Sequence, residues 1–316
     1  MNKLLIKSPV NSLEAARMQI QAGADEIYLS YISDAIKNLS FSGRGKESYH
    51  KIQTQMSYLE FIQIIELAHK HGVKVDLAAN VPMSGNDPDG GHTFHDNYRK
   101  YVEEAIDAGI DGVIVGDMGN LLLLQDLSER VEMTASVFWG TLNIPQIQML
   151  EKLKIKKVCL PHHFSIEEMK KFVEHTNMKI EVFGHFGCSF IESTCSLYHH
   201  ASENIDFGIP CRAKYKIAGV KDKVNILDMG EDCSLCKLPE IIDAGVSSIK
   251  IIGRELDYKL SSTITYVYRY AIDEINSGKN IEQVLKDLES KIDFSFWKSH
   301  FCEPGRCKFK DNSYYI

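Results

Sequence analysis

Eight short apolar runs punctuate the chain, near residues 3–7, 26–30, 73–79, 112–116, 132–137, 156–160, 179–184 and 247–252. Their length and their Val, Ile and Leu content predict β-strands. Between most of them the apolar positions recur with a helical period. Residues 12–22 place Leu13, Ala16 and Ile20 on one face behind Ser12, a good N-cap. Residues 57–70 and 96–107 follow the same pattern, and Ser165 with Glu168 carries a capping-box signature at the head of another helix. Two further helices are predicted over 258–276 and 280–291, followed by an irregular tail through 301–307.

One phrase joins helix to strand repeatedly. Ala22-Gly23-Ala24-Asp25-Glu26-Ile27-Tyr28-Leu29 is echoed by Ala108-Gly109-Ile110-Asp111-Gly112-Val113-Ile114-Val115 and by Ala244-Gly245-Val246-Ser247-Ser248-Ile249-Lys250-Ile251. Each copy stops a helix on glycine and enters a strand, and His71-Gly72-Val73-Lys74-Val75 is a looser copy. Repeated αβ units imply a parallel sheet. Eight strands with no glycine-rich phosphate loop after the first favour a closed (β/α)8 TIM-like barrel over an open dinucleotide-binding sheet. Such a barrel carries its site at the C-terminal strand ends, where Ser8, Ser30, Asn80, Asp117, Ser136, His162, His163, His185 and Arg254 fall. For any one of them, ordinary loop chemistry is the competing reading. The barrel is expected over residues 1–277, with a long insertion at 185–246 between strands seven and eight, and a C-terminal helix and tail over 278–316. Loops of that length inside a compact domain are usually functional.

Composition changes this picture little: 44% hydrophobic and 25% charged residues describe an ordinary globular chain. The N-terminal apolar run is shorter than a signal peptide, and no stretch reaches the ~20 apolar residues of a membrane span. The expected location is the cytoplasm, with no membrane association. A net charge of −7 argues against diffuse nucleic-acid binding by the chain as a whole. It leaves room for a local basic patch, for which Lys214, Lys216, Lys221 and Lys223 are the candidates; a solvated face is the ordinary reading of such a run.

Cysteine usage carries the chemistry. The chain has eight cysteines, and the insertion holds Cys188, Cys195, Cys211, Cys233 and Cys236. In a reducing compartment such a group binds metal or does redox work more often than it forms disulfides. Converging thiolates hold an iron–sulfur cluster or a zinc ion, and the long unequal spacings lean toward a cluster. Buried inert thiols are the alternative. Cys159, inside a strand, reads as a core residue, and Cys302 and Cys307 read as two plain thiols, with a redox pair or a second metal half-site as the alternatives.

Glu181-Val182-Phe183-Gly184-His185-Phe186-Gly187-Cys188, followed after six residues by Cys195-Ser196, resembles the signature of peptidase family U-32, the collagenase-like peptidases. Further likeness runs through Gly23-Ala24-Asp25, His69 to Val75 with Asn80, Asp111 to Val115 with Asp117, Asp232-Cys233, Leu238-Pro239-Glu240 and Ile249 to Arg254, covering about residues 1–275. The resemblance implies a TIM-like barrel. It also implies kinship with branches that support oxygen-independent hydroxylation of a tRNA or ribosomal RNA base, with prephenate implicated as an oxygen source, or of a quinone precursor's ring. In those branches four cysteines hold a 4Fe–4S cluster, and by position they correspond to Cys188, Cys195, Cys211 and Cys233, with Cys236 as the alternative fourth ligand. Some members work as paired proteins, so a homologous partner chain or a homodimer is expected. The chain departs from the pattern at His185, one residue nearer to Cys188 than in the signature. It also has His162-His163 where RNA-modifying members carry Arg-Glu, and Ile252 where a Glu is usual.

The residues expected to act beside the cluster are His185 and His162 as proton carriers, and Asp117 and Arg254 as a polar pocket. The guanidinium of Arg254 suits the carboxylate of an acidic small molecule. The expected activity is that of a cluster-dependent oxidoreductase. A peptidase, which the family name implies, and a noncatalytic cluster-bearing partner are the alternatives. The chain shows no Ser nucleophile elbow and no H-E-x-x-H zinc helix.

Overall fold

The computed structural model describes residues 3–31, 33, 56–80, 92–187, 214–227, 230, 232–254 and 256–309. Eight parallel strands close into a barrel in the order β1-β2-β3-β4-β5-β6-β7-β8. They are β1 (Leu5–Pro9), β2 (Glu26–Leu29), β3 (Lys74–Ala79), β4 (Gly112–Val115), β5 (Glu132–Ala135), β6 (Lys157–Cys159), β7 (Lys179–His185) and β8 (Ser248–Ile251). The helices are α1 (Leu13–Gln21), α2 (Tyr58–Lys70), α3 (His92–Asp107), α4 (Met118–Leu123), α5 (Ile144–Lys152), α6 (Ile166–Glu174), α7 (Leu238–Asp243), α8 (Tyr258–Asn276) and α9 (Ile281–Lys291). The predicted strands thus recur within a residue or two, and β1 runs two residues later than its apolar run.

Local chemistry explains the joints. Ser12 caps α1 through Ala15 N, and Ser165 and Glu168 form the expected capping box on α6. At the three repeated phrases Gly23, Gly109 and Gly245 have φ of 92°, 101° and 78°, a left-handed turn that a side chain would strain. The main apolar core lies between the outer strand faces and the helices. Ile6, Ile27, Val75, Leu77, Val113, Val158, Ile180 and Ile249 belong to it, together with the buried faces of α1, α2, α3, α5, α6 and α8. Ser8 belongs to this outer layer: its hydroxyl meets Thr265 Oγ1 of α8 at 2.8 Å and does not reach the barrel mouth.

Among the described residues, no helix is long and apolar enough to cross a membrane.

Candidate functional site

The inner face of the barrel is charged. Side chains alternate along each strand, so Lys7, Glu26, Asp76, Lys157, Glu181 and Lys250 all point inward. The Lys7 ammonium is fully buried, 2.6 Å from Asp76, 2.9 Å from Glu181 and 3.3 Å from Glu26. Lys157 meets Glu26 at 2.6 Å, and Lys250 stands 3.7 Å from Glu181. Burial by itself would lower the pKa of Lys7, but attraction to Asp76, Glu181 and Glu26 outweighs it and holds the group well above its usual range. Burial works against ionised Glu181, yet Lys7, Lys250 and Lys157 bring its pKa down to about 2. Gly112 makes the lattice possible, because a Cβ there would sit 2.4 Å from Asp76 Oδ1. Sequence reasoning missed this lattice. Its signal is a charged residue set inside otherwise apolar strand runs, as in LIKSP, EIYL, KVD, EVF and SIKI.

Above the lattice lies a small apolar cluster of Tyr28, Ala78 and Ile114, and above that a cationic mouth. Lys250 Nζ stands 4.4 Å from the centroid of the Tyr28 ring, and the Arg254 guanidinium stands 5.5 Å from the same ring. Arg254 also donates to Ser30 Oγ at 3.2 Å. Asn80 donates to Ser136 Oγ at 3.0 Å, while its own carbonyl oxygen is buried without a hydrogen-bond partner among the described residues. His162 is buried and stacks on inward-facing Phe183 with centroids 3.8 Å apart, whereas His163 is exposed. Lys308, a buried residue of the C-terminal tail, donates to His162 Nδ1 at 2.8 Å. Burial first, and then the neighbouring charge of Lys308, push the His162 pKa well down, so the ring is neutral with its proton on Nε2. The mouth therefore holds Arg254 and His162 together with Lys250 and Lys308, the last two of which sequence reasoning missed.

Asp117 is placed differently. Its carboxylate caps α4, accepting from Asn120 N at 2.9 Å and from Asn120 Nδ2 at 2.7 Å. Both oxygens are thereby engaged in ending the β4–α4 turn, a structural duty in place of the expected pocket with Arg254.

His185 also lies elsewhere. Phe183 pairs with Lys250 and His185 with Ile251, so β7 carries one extra residue at Gly184. This bulge turns His185 to the outer face. There it is enclosed by Phe186, Tyr268, Trp297 and Phe301, away from the mouth where a proton carrier was expected. Its partner is Tyr268 Oη at 3.2 Å. That hydroxyl donates its single proton to Gly184 O at 2.6 Å and accepts from Ser234 N at 3.0 Å. His185 Nδ1 must then be the donor, which leaves Nε2 an acceptor, buried and without a partner among the described residues. Burial and, less strongly, Lys308 lower the His185 pKa well below its usual value.

Tyr268 of α8 thus clasps the end of β7 to the segment carrying Cys233. Tyr268→Phe is expected to leave the Ser234 amide and His185 short of partners and to lower stability by about 1–3 kcal/mol, measurable by denaturant unfolding.

Of the four cysteines that the resemblance implicates, Cys188, Cys195 and Cys211 lie outside the described residues. Cys233 is described and buried. Its backbone bridges His185 on one side and Cys307 on the other. Burial pushes its thiol up to about 12, while the Leu235 amide and the Trp297 indole present donors to the sulfur. Donors around a buried sulfur suit a metal-bound thiolate, and in that respect the residues present fit a cluster. The tail secures the segment: Lys308 N donates to Cys233 O at 2.8 Å, Arg306 pairs with Asp232, and Asp232 Oδ1 accepts from Gly187 N at 2.8 Å. Cys236, Cys302 and Cys307 are free thiols on the same side of the molecule, and buried Cys159 is a core residue. Among the described residues, no three His, Cys, Asp or Glu side chains are set to hold a single metal ion.

A closed parallel barrel with an ion lattice inside, a cationic mouth and a thiol-bearing outer rim defines a (β/α)8 protein whose candidate site lies at the C-terminal ends of the strands. The chain belongs to peptidase family U32, whose model matches residues 11–306. It is 23% identical over 284 residues to the 23S rRNA 5-hydroxycytidine C2501 synthase of Escherichia coli, covering 87% of this chain and 40% of that protein. An uncharacterised protease of Methanocaldococcus jannaschii is 27% identical, with 92% of this chain and 70% of the relative covered. The tRNA hydroxylation proteins P1 and P2 of Bacillus subtilis are each 23% identical, covering 84% and 80% of this chain and 62% and 89% of theirs. The chain thus spans less than half the length of the ribosomal RNA synthase. A solved U32 peptidase structure shares the fold with a TM-score of 0.51 at 13% identity, over 79% of this chain and 93% of that one.

Proposed function

We propose that this chain is the cluster-bearing component of an oxygen-independent hydroxylase acting on an RNA base, working beside a homologous chain or a second copy of itself. Its 4Fe–4S cluster would be held by Cys188, Cys195, Cys211 and Cys233. The observation that carries this reading is Cys233: a buried sulfur with amide and indole donors turned toward it, in a segment clamped by Tyr268 and by the tail. When bound, such a cluster supplies one-electron transfer. The names of the ribosomal and transfer RNA relatives support RNA as the class of substrate, and the P1 and P2 pair supports a partner.

The mouth supports an acidic co-substrate. Lys250 and Arg254 converge on Tyr28 above a lattice in which the carboxylates already have lysine partners. A carboxylate from outside would match them. Neutral His162, held by Lys308 and stacked on Phe183, carries a proton on Nε2 that it can lend to a bound anion.

The test is mass spectrometry of RNA nucleosides from cells lacking this chain, with and without complementation. A nucleoside heavier by one oxygen should vanish on deletion, return with the wild type and stay absent with Cys233→Ser. An unchanged nucleoside profile, together with cleavage of gelatin by the purified protein, would favour the peptidase reading instead.

A further inference from the structure

Within the insertion, residues 214–227 form a small antiparallel hairpin. Tyr215 N donates to Val224 O at 2.8 Å and Val224 N to Tyr215 O at 2.9 Å, and Gly219 turns the tip with a φ of 83°. Alternation around this bridge puts Tyr215 and Val224 on one face and their neighbours Lys214, Lys216 and Lys223 on the other. In that register Lys216 stands directly opposite Lys223. Like charges facing each other across two strands destabilise the pair. Lys221 adds a fourth cation at the tip, and all four lysines are exposed. Among the described residues, none of the four has an ion-pair partner. The chain as a whole is acidic, at −7, so this ribbon, whose one acid is Asp222, is a concentrated exception.

We propose that the lysine face of this hairpin docks the phosphate backbone of RNA. The choice of RNA over other polyanions rests on the function proposed above; the cationic face itself does not. Regularly spaced phosphates relieve the opposed Lys216 and Lys223 charges, and the flanking lysines extend the track. Docking here sets the RNA beside the cysteine-bearing insertion, since Cys211 lies three residues before Lys214.

The experiment is fluorescence anisotropy of the full chain with labelled bulk tRNA over a salt series. The wild type should lose affinity steeply as salt rises. Lys214→Glu, Lys216→Glu, Lys221→Glu and Lys223→Glu combined should weaken binding on the order of 100-fold at low salt, and should flatten the log–log salt slope by about 3. The combined Lys→Arg variant should bind like the wild type. Equal binding by the charge-reversed chain overturns the proposal, as does a wild type that ignores tRNA or prefers vesicles of anionic lipid. Binding of tRNA by the wild type, with an unchanged nucleoside profile in cells lacking the chain, would fault the hydroxylase reading and leave the docking surface standing.

Discussion

Lys7→Ala is expected to destabilise the fold by about 3–5 kcal/mol, the range for breaking a buried pair by removing one partner. The ammonium lies within 3.3 Å of three carboxylates. Without it Asp76 loses its closest cation and Glu181 keeps Lys250, at 3.7 Å, and the more distant Lys157. Neutralising the stranded acids by adding Asp76→Asn and Glu181→Gln should recover much of the loss. Denaturant unfolding of the single and combined variants measures both effects. The same lattice predicts an acid limit. Glu181 titrates near 4.5 when unfolded and about 2 when folded, so its ion pairs contribute stability above pH 4.5. That contribution is lost as the pH falls toward 2. Unfolding followed by circular dichroism should show an acid transition in that window, and Glu181→Gln should remove part of its pH dependence.

Cys233→Ser is expected to strip the purified protein of its iron, whereas Cys236→Ser should retain nearly all of it. Cys233 is buried, faced by an amide and an indole donor and pinned from both sides by backbone pairing. Cys236 is exposed and lies on a short turn after it. A thiolate held among donors is favoured as a metal ligand, and a serine hydroxyl at the same place is a poor substitute. Iron content per chain after anaerobic purification separates the two variants. The reverse ranking would make Cys236 the ligand.

The barrel is legible in the chain because its determinants are local: apolar strand runs, capping residues and the glycine that ends a helix before β2, β4 and β8. The long-range features are less so. Asp117 looks like a pocket residue at a strand end, yet the helix that follows needs a cap, and a capping Asp has no other mark in the sequence. His185 belongs to a strand whose alternation points it inward, and a single extra residue at Gly184 turns it out. That bulge is visible only in the pairing with β8. Lys308 reaches the mouth because the tail pairs with Cys233, a contact across 75 residues that no periodicity reports. The ion lattice is the instructive miss. A parallel strand is expected to be apolar on both faces, so a lysine or glutamate within one reads as an edge, and only closure of the barrel brings these charges together.

The central claim is the cluster, and it is tested most directly by absorption spectroscopy with iron and sulfide analysis on protein purified without oxygen. The account predicts a broad band near ~400 nm that bleaches on reduction, with about four irons and four sulfides per chain. One zinc per chain and no colour, or colourless metal-free protein after anaerobic reconstitution, would contradict it.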